Sequence, residues 1–510
     1  MIDWLAITIM APLLGAVATV LAGSGAPLPG AESETDRERA DRVSRRVHRV
    51  GLLAILASSA AMLVATALVW IDGPLRSELG GWGVPLGIAI SADGLSAAML
   101  GMTALVALGI SLYATGYFCR GTISVHFWPL WLLLVTALNG LFIAADLFNL
   151  YVMLELLGLA AAALGALTGS REAVSANLRY LLVGLLGSII YLLGVALIYT
   201  GYGELDLGLV RASVAADVAA GDGMLPASAL ALMTAGLALK AALFPMHFWL
   251  PPAHANAPAP VSAALSALVV KAAFYLIVRL WLDGLAPAAT GAGAVLIGLL
   301  GAGAVLWGSW QALRAARLKL LAAYSTVAQI GYLCLFFPLL VEIPPGPLRE
   351  NLIAALLLMA LTHGLAKAGL FLAAGLVQQS AGHDRIEELG GTAQNLPATT
   401  FTIALAGTAL IGLPPSGSFV GKWVLMQGAI AEGQWWWVVV IAIGTLLAAA
   451  YVFRVLSRAF GLEPTPTRFV TEVRTELPAF LLALGAVAGL GLGSGLVWDL
   501  LASAPMGQGG

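Results

Sequence analysis

The chain has 510 residues, 60% of them hydrophobic and only 10% charged, and its mean hydropathy is +0.93. Because a soluble domain carries about 25% charged residues, this composition excludes a soluble globular protein and indicates an integral membrane protein. The formal net charge of −2 offers no basic surface for nucleic acid, so we expect none as a partner.

Apolar runs of about 20 residues, the length that crosses a bilayer as a helix, recur along the whole chain. The first run, residues 2–22, lacks the basic leader and cleavage site of a signal peptide, so we predict a retained span. Runs of this length exclude the short alternating strands of a membrane barrel. We predict an all-α membrane protein of about 14 transmembrane helices, at residues 4–22, 49–71, 93–118, 126–144, 146–168, 174–200, 226–245, 258–282, 290–311, 320–340, 350–378, 397–431, 434–457 and 477–500.

Basic residues predict how these helices cross the inner (plasma) membrane. The polar segment 25–49 is rich in arginine, which predicts a cytoplasmic loop at 25–48 and an N-terminus outside. The other loops on the predicted cytoplasmic side are also arginine-rich, whereas the opposite side holds few basic residues. The cytoplasmic set is Arg120, Arg171, Arg179, Arg314, Arg317, Lys319, Arg385, Arg454, Arg458, Arg468 and Arg474, and the outer set is Arg76, Arg211, Arg279 and Arg349.

Several ionisable residues fall inside the predicted spans. A charged side chain in the bilayer interior costs several kcal/mol, so such residues mark ion pathways more often than packing contacts. Glu155 lies nine residues beyond Asp146, where its span opens, or roughly 13 Å along a helix and close to the midplane. Snorkelling to the interface would explain one lysine near a helix end, and Lys422 fits that case best. We predict a proton or ion pathway built from Glu155, Lys240, Lys271, His363, Lys367 and Lys422.

Prolines interrupt two of the predicted spans, the seventh at Pro245 and the twelfth at Pro414 and Pro415. Each break lies close to a lysine. Broken helices at matching positions of two halves are typical of inverted-repeat transporters. We predict N-terminal helices in residues 1–125, five-helix repeats of opposite orientation in 126–282 and 290–460, and a C-terminal loop and last helix in 461–510.

Two histidines flank the proline turn of the seventh span. His247 and His254 match no standard zinc spacing and have no cysteine or carboxylate beside them, so we expect no metal site. Both titrate near neutral pH and are candidates for proton relay or gating, with a structural role left open for His247. Cys119 and Cys334 form no CxxC or haem motif. We therefore expect no cofactor and no catalytic or redox site within the chain.

Five motifs carry a resemblance to a known family. DLFNLYVMLELL, LKAALFPMHFWLPPAHANAPAPVSAALSALVVK, LLAAYSTVAQIGY, THGLAKAGLFLAAG and GLPPSGSFVGKW resemble the proton-translocating antiporter-like subunits. That family is shared by Mrp sodium/proton antiporters, respiratory complex I and membrane-bound hydrogenases, and the resemblance covers about residues 90–460. It implies that Glu155 is the fifth-helix glutamate and Lys240 its lysine partner. It also implies that Lys271 is the central lysine and Lys422 the lysine at the far end, and a lysine at 422 resembles the D-type member of the Mrp antiporters.

The resemblance implies a subunit that works with other membrane subunits and moves protons, with sodium left open as a second ion. At an effective dielectric near 20, a unit charge at 4 Å is worth about 4 kcal/mol. Movement of Glu155 away from Lys240 would therefore turn a firmly protonated lysine into a proton donor. The proton would pass to Lys271, then to His363 and Lys367, and leave near Lys422.

Three other functions remain open. The chain could be an antiporter-like subunit of complex I (an NADH:quinone oxidoreductase-type complex) or of a membrane-bound hydrogenase. A solute carrier would require a roomy cavity, whereas a row of lysines predicts a narrow wet axis. A non-transporting scaffold would gain nothing from buried charges that are costly to keep.

Overall fold

The computed structural model describes residues 3–26, 34–118, 123–461, 469 and 475–507. The predicted cytoplasmic residues Arg120, Arg468 and Arg474, together with Cys119, lie outside this part of the chain. The helices are α1 (Trp4–Ala22), α2 (Glu34–Asp72), α3 (Gly94–Tyr117), α4 (Ile123–Ile143), α5 (Leu147–Gly165), α6 (Arg171–Tyr202), α7 (Leu207–Ala220), α8 (Met224–Lys240), α9 (Leu250–Asn256), α10 (Ala259–Ala264), α11 (Val270–Arg279), α12 (Gly291–Arg314), α13 (Leu318–Cys334), α14 (Phe337–Glu342), α15 (Pro347–Ala381), α16 (Thr392–Asn395), α17 (Pro397–Ile411), α18 (Gly417–Ala431), α19 (Trp436–Ala459), α20 (Leu477–Leu484), α21 (Leu490–Leu492) and α22 (Gly495–Ser503).

Most of these helices are apolar enough to lie in a membrane, which confirms the predicted class of helical membrane protein. In the described part of the chain, 11 helices are long and apolar enough to span, and 12 if the last bent pair counts as one span. That pair, Leu477–Leu492 and Gly495–Ser503, bends by 72°. Two shorter apolar helices, α8 and α17, belong to the two predicted spans that proline interrupts.

Two strands that the all-α prediction missed form a hairpin between α2 and α3. Strand β1 (Leu75–Leu79) pairs antiparallel with β2 (Ile88–Ala92). The connection contains Gly80 and Gly81, both with positive φ, a conformation that glycine adopts without steric cost. The segment is too short to signal a strand against the long helical runs around it, so periodicity alone did not reveal it.

The predicted loop at 25–48 is helical from Glu34 onward, because α2 runs unbroken for 39 residues. Acidic side chains at Glu34 and Asp36 lie at the positive end of the helix dipole, and no proline or glycine interrupts the helix before Gly51. Val43 and Val47 are buried against the bundle. The positive-inside rule located this polar segment but could not tell a helix from a loop. Residues 27–33 lie outside the described part of the chain.

Polar contacts gather at both ends of the bundle. At one end, which we call the hairpin face, Ser77 contacts Asp3 and Arg76 pairs with Asp206 at 2.9 Å. The other end, the arginine face, holds the ion pairs Arg317–Asp384, Arg385–Glu388, Arg454–Glu387 and Arg458–Glu387. There the hydrogen bond from Arg454 and the charge of Arg458 hold the pKa of Glu387 below its ordinary value.

Two spans at the centre of the bundle have their most apolar stretch fully buried inside the protein. One, the central span Ala259–Gly284, contains π-helical segments at Leu265–Val269 and Leu280–Gly284. The other is α15. A π segment changes the hydrogen-bond partners of its carbonyls, and such segments often occur at functional sites. Lys271 lies in the first of these spans and Lys367 in the second.

Both predicted helix breaks are present. Helix α8 ends at Lys240, and Pro245 lies in the turn before α9 begins. Helix α17 ends at Ile411, where Gly412 adopts a left-handed φ of 81°, and Pro414 and Pro415 precede α18. Glycine at this position is the usual end of a helix because it carries no Cβ that would clash. The first break begins directly after Lys240, and the second places the Ile411 carbonyl beside Lys422.

Candidate ion pathway

Glu155 and Lys240 form a direct ion pair inside the bundle, at 3.0 Å between Lys240 Nζ and Glu155 Oε1. Helix α5 presents the carboxylate and the last residue of α8 presents the ammonium. Ser188 of α6 donates a hydrogen bond to the same carboxylate oxygen. The lysine and glutamate side chains are 8% and 19% exposed, so the pair is largely shielded and its mutual charge interaction is strong.

A small cavity of about 10 Å³ adjoins this pair. Gly158 and Gly184 line it, together with Tyr180. A Cβ at Gly158 would lie 3.6 Å from Lys240 Nζ, so the missing side chain leaves room beside the ammonium. This volume is near the lower limit for one water molecule.

Lys271 and Lys367 lie in the two central helices and bind main-chain carbonyls. Lys271 Nζ donates to the Ser266 carbonyl within the first π segment of the central span. Lys367 Nζ donates to the Ala322 carbonyl at 2.6 Å and to the Ser325 hydroxyl. Both side chains are less than 2% exposed, so solvent screens neither charge.

Lys422 lies at the second helix break. Its Nζ donates to the Ile411 carbonyl at 2.9 Å and to the Thr445 hydroxyl at 3.1 Å. It also lies 4.0 Å from the centre of the Tyr332 ring. The free carbonyls at the end of α17 and the ring face are both negative, so they stabilise the ammonium. Lys422 is 4% exposed, which rules out the snorkelling role that sequence left open for it.

The histidines divide into two groups. His254 and His363 are buried, and in the described part of the chain no ring nitrogen of either has a hydrogen-bond partner. His363 and Lys367 lie one turn apart on α15, and His254 stacks on Phe371 of the next turn at 4.9 Å between ring centres, so these side chains form one cluster. His247 is also buried, and its Nδ1 has no partner among the described residues, but it lies in the turn after α8, stacked on Phe244 at 5.6 Å between ring centres.

Two buried cations were expected in loops and lie inside helices instead. Lys319, in the first turn of α13, is 2% exposed and donates to the Ala257 carbonyl at the junction of α9 and α10. Arg279, expected in an outer loop, ends α11 and is 7% exposed. A lysine at the start of the apolar run LKLLAAYST was the signal for the first, whereas Arg279 sits at a predicted span boundary, where sequence is least informative.

Comparison with known proteins gives a consistent family. The family model described as NADH:quinone oxidoreductase/Mrp antiporter, TM, matches residues 144–448. The N-type NADH-quinone oxidoreductase subunit of Desulforudis audaxviator is 36% identical, over 86% of this chain and 87% of the relative. The D-type Na(+)/H(+) antiporter subunit of Bacillus subtilis is 26% identical, over 88% of each chain.

The solved structures include a close match in fold. A chain of the Mrp complex from Dietzia sp. DQ12-45-1b superposes with a TM-score of 0.81 at 26% identity. The match covers 99% of this chain and 97% of the Dietzia chain. The similarity therefore extends over the whole bundle, including the segments outside the matched family region.

Proposed function

The chain belongs to the NADH:quinone oxidoreductase/Mrp antiporter family, and we propose that it is the proton-translocating, D-type subunit of an Mrp-like multisubunit cation/proton antiporter. The observation that carries this proposal is the contact between Glu155 and Lys240. We take this pair as one end of a row of buried lysines made of Lys240, Lys271, Lys367 and Lys422. Its partners are other membrane subunits, and protons are its cargo, with sodium left open as the exchanged ion.

The row supports proton movement because its lysines differ in which neighbouring groups stabilise their positive charge. The Lys240 ammonium is stabilised by Glu155, which can move or be neutralised. Once Glu155 withdraws, Lys240 becomes a proton donor, since the pair interaction is worth several kcal/mol in a shielded site. The proton passes next to Lys271, then through the cluster of His363 and Lys367.

Water and the helix breaks complete this route. Buried ring nitrogens without a protein partner, as in His254 and His363, are sites where water binds. The breaks at Pro245 and at Pro414–Pro415 lie on the route, the second with the Ile411 carbonyl bound to Lys422, and irregular backbone in a membrane is tolerated where it lines a wet cavity. His254 acts as a relay, and His247 gates access at the turn. Lys422 ends the row.

We also propose the finer architecture that sequence predicted. The short helices α8 and α17, each continued beyond its break, bring the 11 to 12 spans to about 14. Residues 126–282 and 290–460 then form the two inverted repeats, each with one broken helix. The arginine face lies in the cytoplasm, as does the start of α2, and both described chain ends lie outside.

A subunit of a complex I-type enzyme is the second candidate, favoured by the 36% identity to the N-type relative. In that case partner subunits carry out the redox reaction, and the Glu155–Lys240 pair again controls proton release from Lys240. The proteins that co-purify with the chain decide between the two parents. Small hydrophobic antiporter subunits indicate the first, and cluster-bearing subunits indicate the second.

Glu155→Gln tests the function common to both parents. We expect proton transport by vesicles that contain the assembled complex to fall by about 100-fold, because an amide cannot switch the charge at Lys240. Glu172→Gln is the matched control, since Glu172 is an exposed carboxylate in the first turn of neighbouring α6. Unchanged transport by Glu155→Gln would exclude the proposed gate.

A further inference from the structure

The central span carries a stripe of four polar side chains. Only the first of them, Lys271, belongs to the proposed lysine row. Lys271, Tyr275, Arg279 and Asp283 follow one another at intervals of four residues, and every residue between them is apolar. Four residues are close to one helical turn, and the second π segment widens the last turn, so the four lie along one side. All four are buried. The stripe runs from the lysine row to the hairpin face.

The middle of the stripe is a hydrogen-bonded hydroxyl pair. The Tyr275 hydroxyl donates to the Phe142 carbonyl at 2.8 Å and accepts from Arg279 Nε at 2.9 Å. It also lies 3.1 Å from the Ser96 hydroxyl of α3, and Tyr275 can donate to Ser96 only when its hydrogen turns away from the Phe142 carbonyl. Such a pair can pass a proton from one oxygen to the next by reorienting its hydrogens.

Beyond the hydroxyls lies a compact cluster of charges. Arg279 Nη1 and Nη2 both donate to Asp93, and Nη2 also donates to the Ser96 hydroxyl at 2.8 Å. Asp283 lies 3.4 Å from Arg279 and 3.3 Å from Arg211. The two carboxylates and two guanidinium groups balance, so the cluster is neutral as it stands.

Cavities lie at both ends of the stripe. One, of about 20 Å³, is lined by Lys271 and Tyr275 and otherwise by apolar side chains. The other, of about 40 Å³ at the hairpin face, is lined by Asp93, Asp283 and Arg211. Each has room for at least one water molecule. A water in the first would lie between Lys271 and Tyr275.

We propose that this stripe is a proton outlet that leaves the lysine row at Lys271 and opens at the hairpin face; the inference rests on the proposed function. Lys271 gives a proton to water in the inner cavity, and that water protonates the Tyr275 oxygen as Tyr275 turns its own hydroxyl proton from the Phe142 carbonyl to Ser96. The Ser96 hydroxyl and Asp93 Oδ1 accept from the same Arg279 Nη2, so a turn of the Ser96 side chain passes its proton to Asp93, which releases it to water in the outer cavity. Each group regains the hydrogen it gave up, so the outlet is unchanged after each proton.

The charges of the cluster favour release of a proton from Asp93. A proton on Asp93 removes one negative charge and leaves the cluster with a net positive charge, which expels the proton into the outer cavity. The fixed Arg279 charge beside Tyr275 keeps an excess proton on the hydroxyls short-lived, whichever way that proton travels.

Tyr275→Phe tests the outlet, because it removes the hydroxyl and keeps the ring that packs edge-on to Phe142 at 5.1 Å. We expect proton flux through the assembled complex in vesicles to fall at least tenfold. Tyr113→Phe is the control: that hydroxyl is also buried, and it has no hydrogen-bond partner within the described residues. Ser96→Ala, measured in parallel, leaves Tyr275 in place and is expected to lower flux several-fold.

Wild-type flux in either assembled variant overturns the outlet. The amount of assembled complex is judged by its melting temperature and subunit content. If flux falls only in proportion to the loss of assembled complex, the residues have a structural role and the outlet is also overturned. Glu155→Gln separates the two proposals. Loss of flux in Glu155→Gln with normal flux in Tyr275→Phe would refute the outlet and leave the proposed function standing. Normal flux in Glu155→Gln would refute the proposed function.

Discussion

The buried lysines differ in what neutralises them, and this singles out Lys240. Lys271, Lys319, Lys367 and Lys422 each donate to a main-chain carbonyl. A carbonyl dipole is part of the backbone and keeps its sign. Lys240 instead pairs with a carboxylate that a proton or a small displacement can neutralise. Lys240 is therefore the member of the row whose proton affinity a conformational change can switch.

Lys422→Glu tests whether the far end needs a positive charge. A carboxylate there would face the Ile411 carbonyl and the Tyr332 ring, both negative, so we expect loss of transport and a lower melting temperature of the complex. Lys422→Gln keeps an N–H donor for Ile411, so it should lose transport with little loss of stability. Partial transport by Lys422→Glu would show that any titratable group suffices.

Sequence predicted the polar residues that stand out from apolar runs and missed their partners. Glu155 and Lys240 were paired through a family resemblance, and the structure places them in contact. Ser188 and Thr445, which bind Glu155 and Lys422, were not foreseen. Serine and threonine are common in membrane helices, so their presence carries no signal until the fold brings them beside a charge.

At the scale of the element, the helix breaks contribute more to the proposed pathway than the unbroken helices do. A broken helix leaves carbonyls free at its end, and Lys422 uses the last carbonyl of α17 in this way. The left-handed Gly412 makes that geometry, and its missing side chain leaves space for the lysine: a Cβ there would lie 3.0 Å from Lys422 Cδ. The break and the lysine thus form one unit.

Gly412→Ala and Gly433→Ala separate backbone strain from the effect on Lys422. Both glycines have positive φ, 81° and 70°, so each substitution should destabilise the chain by about 1–2 kcal/mol. Only Gly412→Ala would crowd Lys422, because nothing lies within 4 Å of a Cβ at Gly433. We expect similar loss of stability in thermal unfolding and loss of transport in Gly412→Ala alone. Equal transport by both variants would contradict a coupling between break and lysine.

Elements were predictable from sequence where one strong signal decides. Proline at 245 and at 414–415 located both breaks, since proline cannot continue a helix. The start of α2 at Glu34 was not predicted, because polarity marks exposure to solvent and says nothing of helicity. The π segments of the central span were equally hidden, since they arise from packing rather than from residue type.

At the scale of the molecule, the two faces of the bundle differ in charge. The arginine face predicts the cytoplasmic side, and the hairpin face, with its proposed outlet, predicts the outer side. Single cysteines test this in a background where Cys119 and Cys334 are serine. Leu86→Cys, at an 87% exposed position of the hairpin, should react with an impermeant maleimide added to intact cells, and Arg385→Cys should react only after lysis. The reverse labelling pattern would show that the topology is opposite to the predicted one.

The most direct measurement of the central claim is proton-coupled transport by Lys240→Ala in vesicles whose complex is fully assembled. Removing the ammonium leaves Glu155 without its partner and the row without the group that its movement switches. We predict loss of transport by at least 100-fold, with subunit content and insertion unchanged. Near-normal transport by correctly inserted Lys240→Ala protein would contradict the account, because the gate would then lie elsewhere.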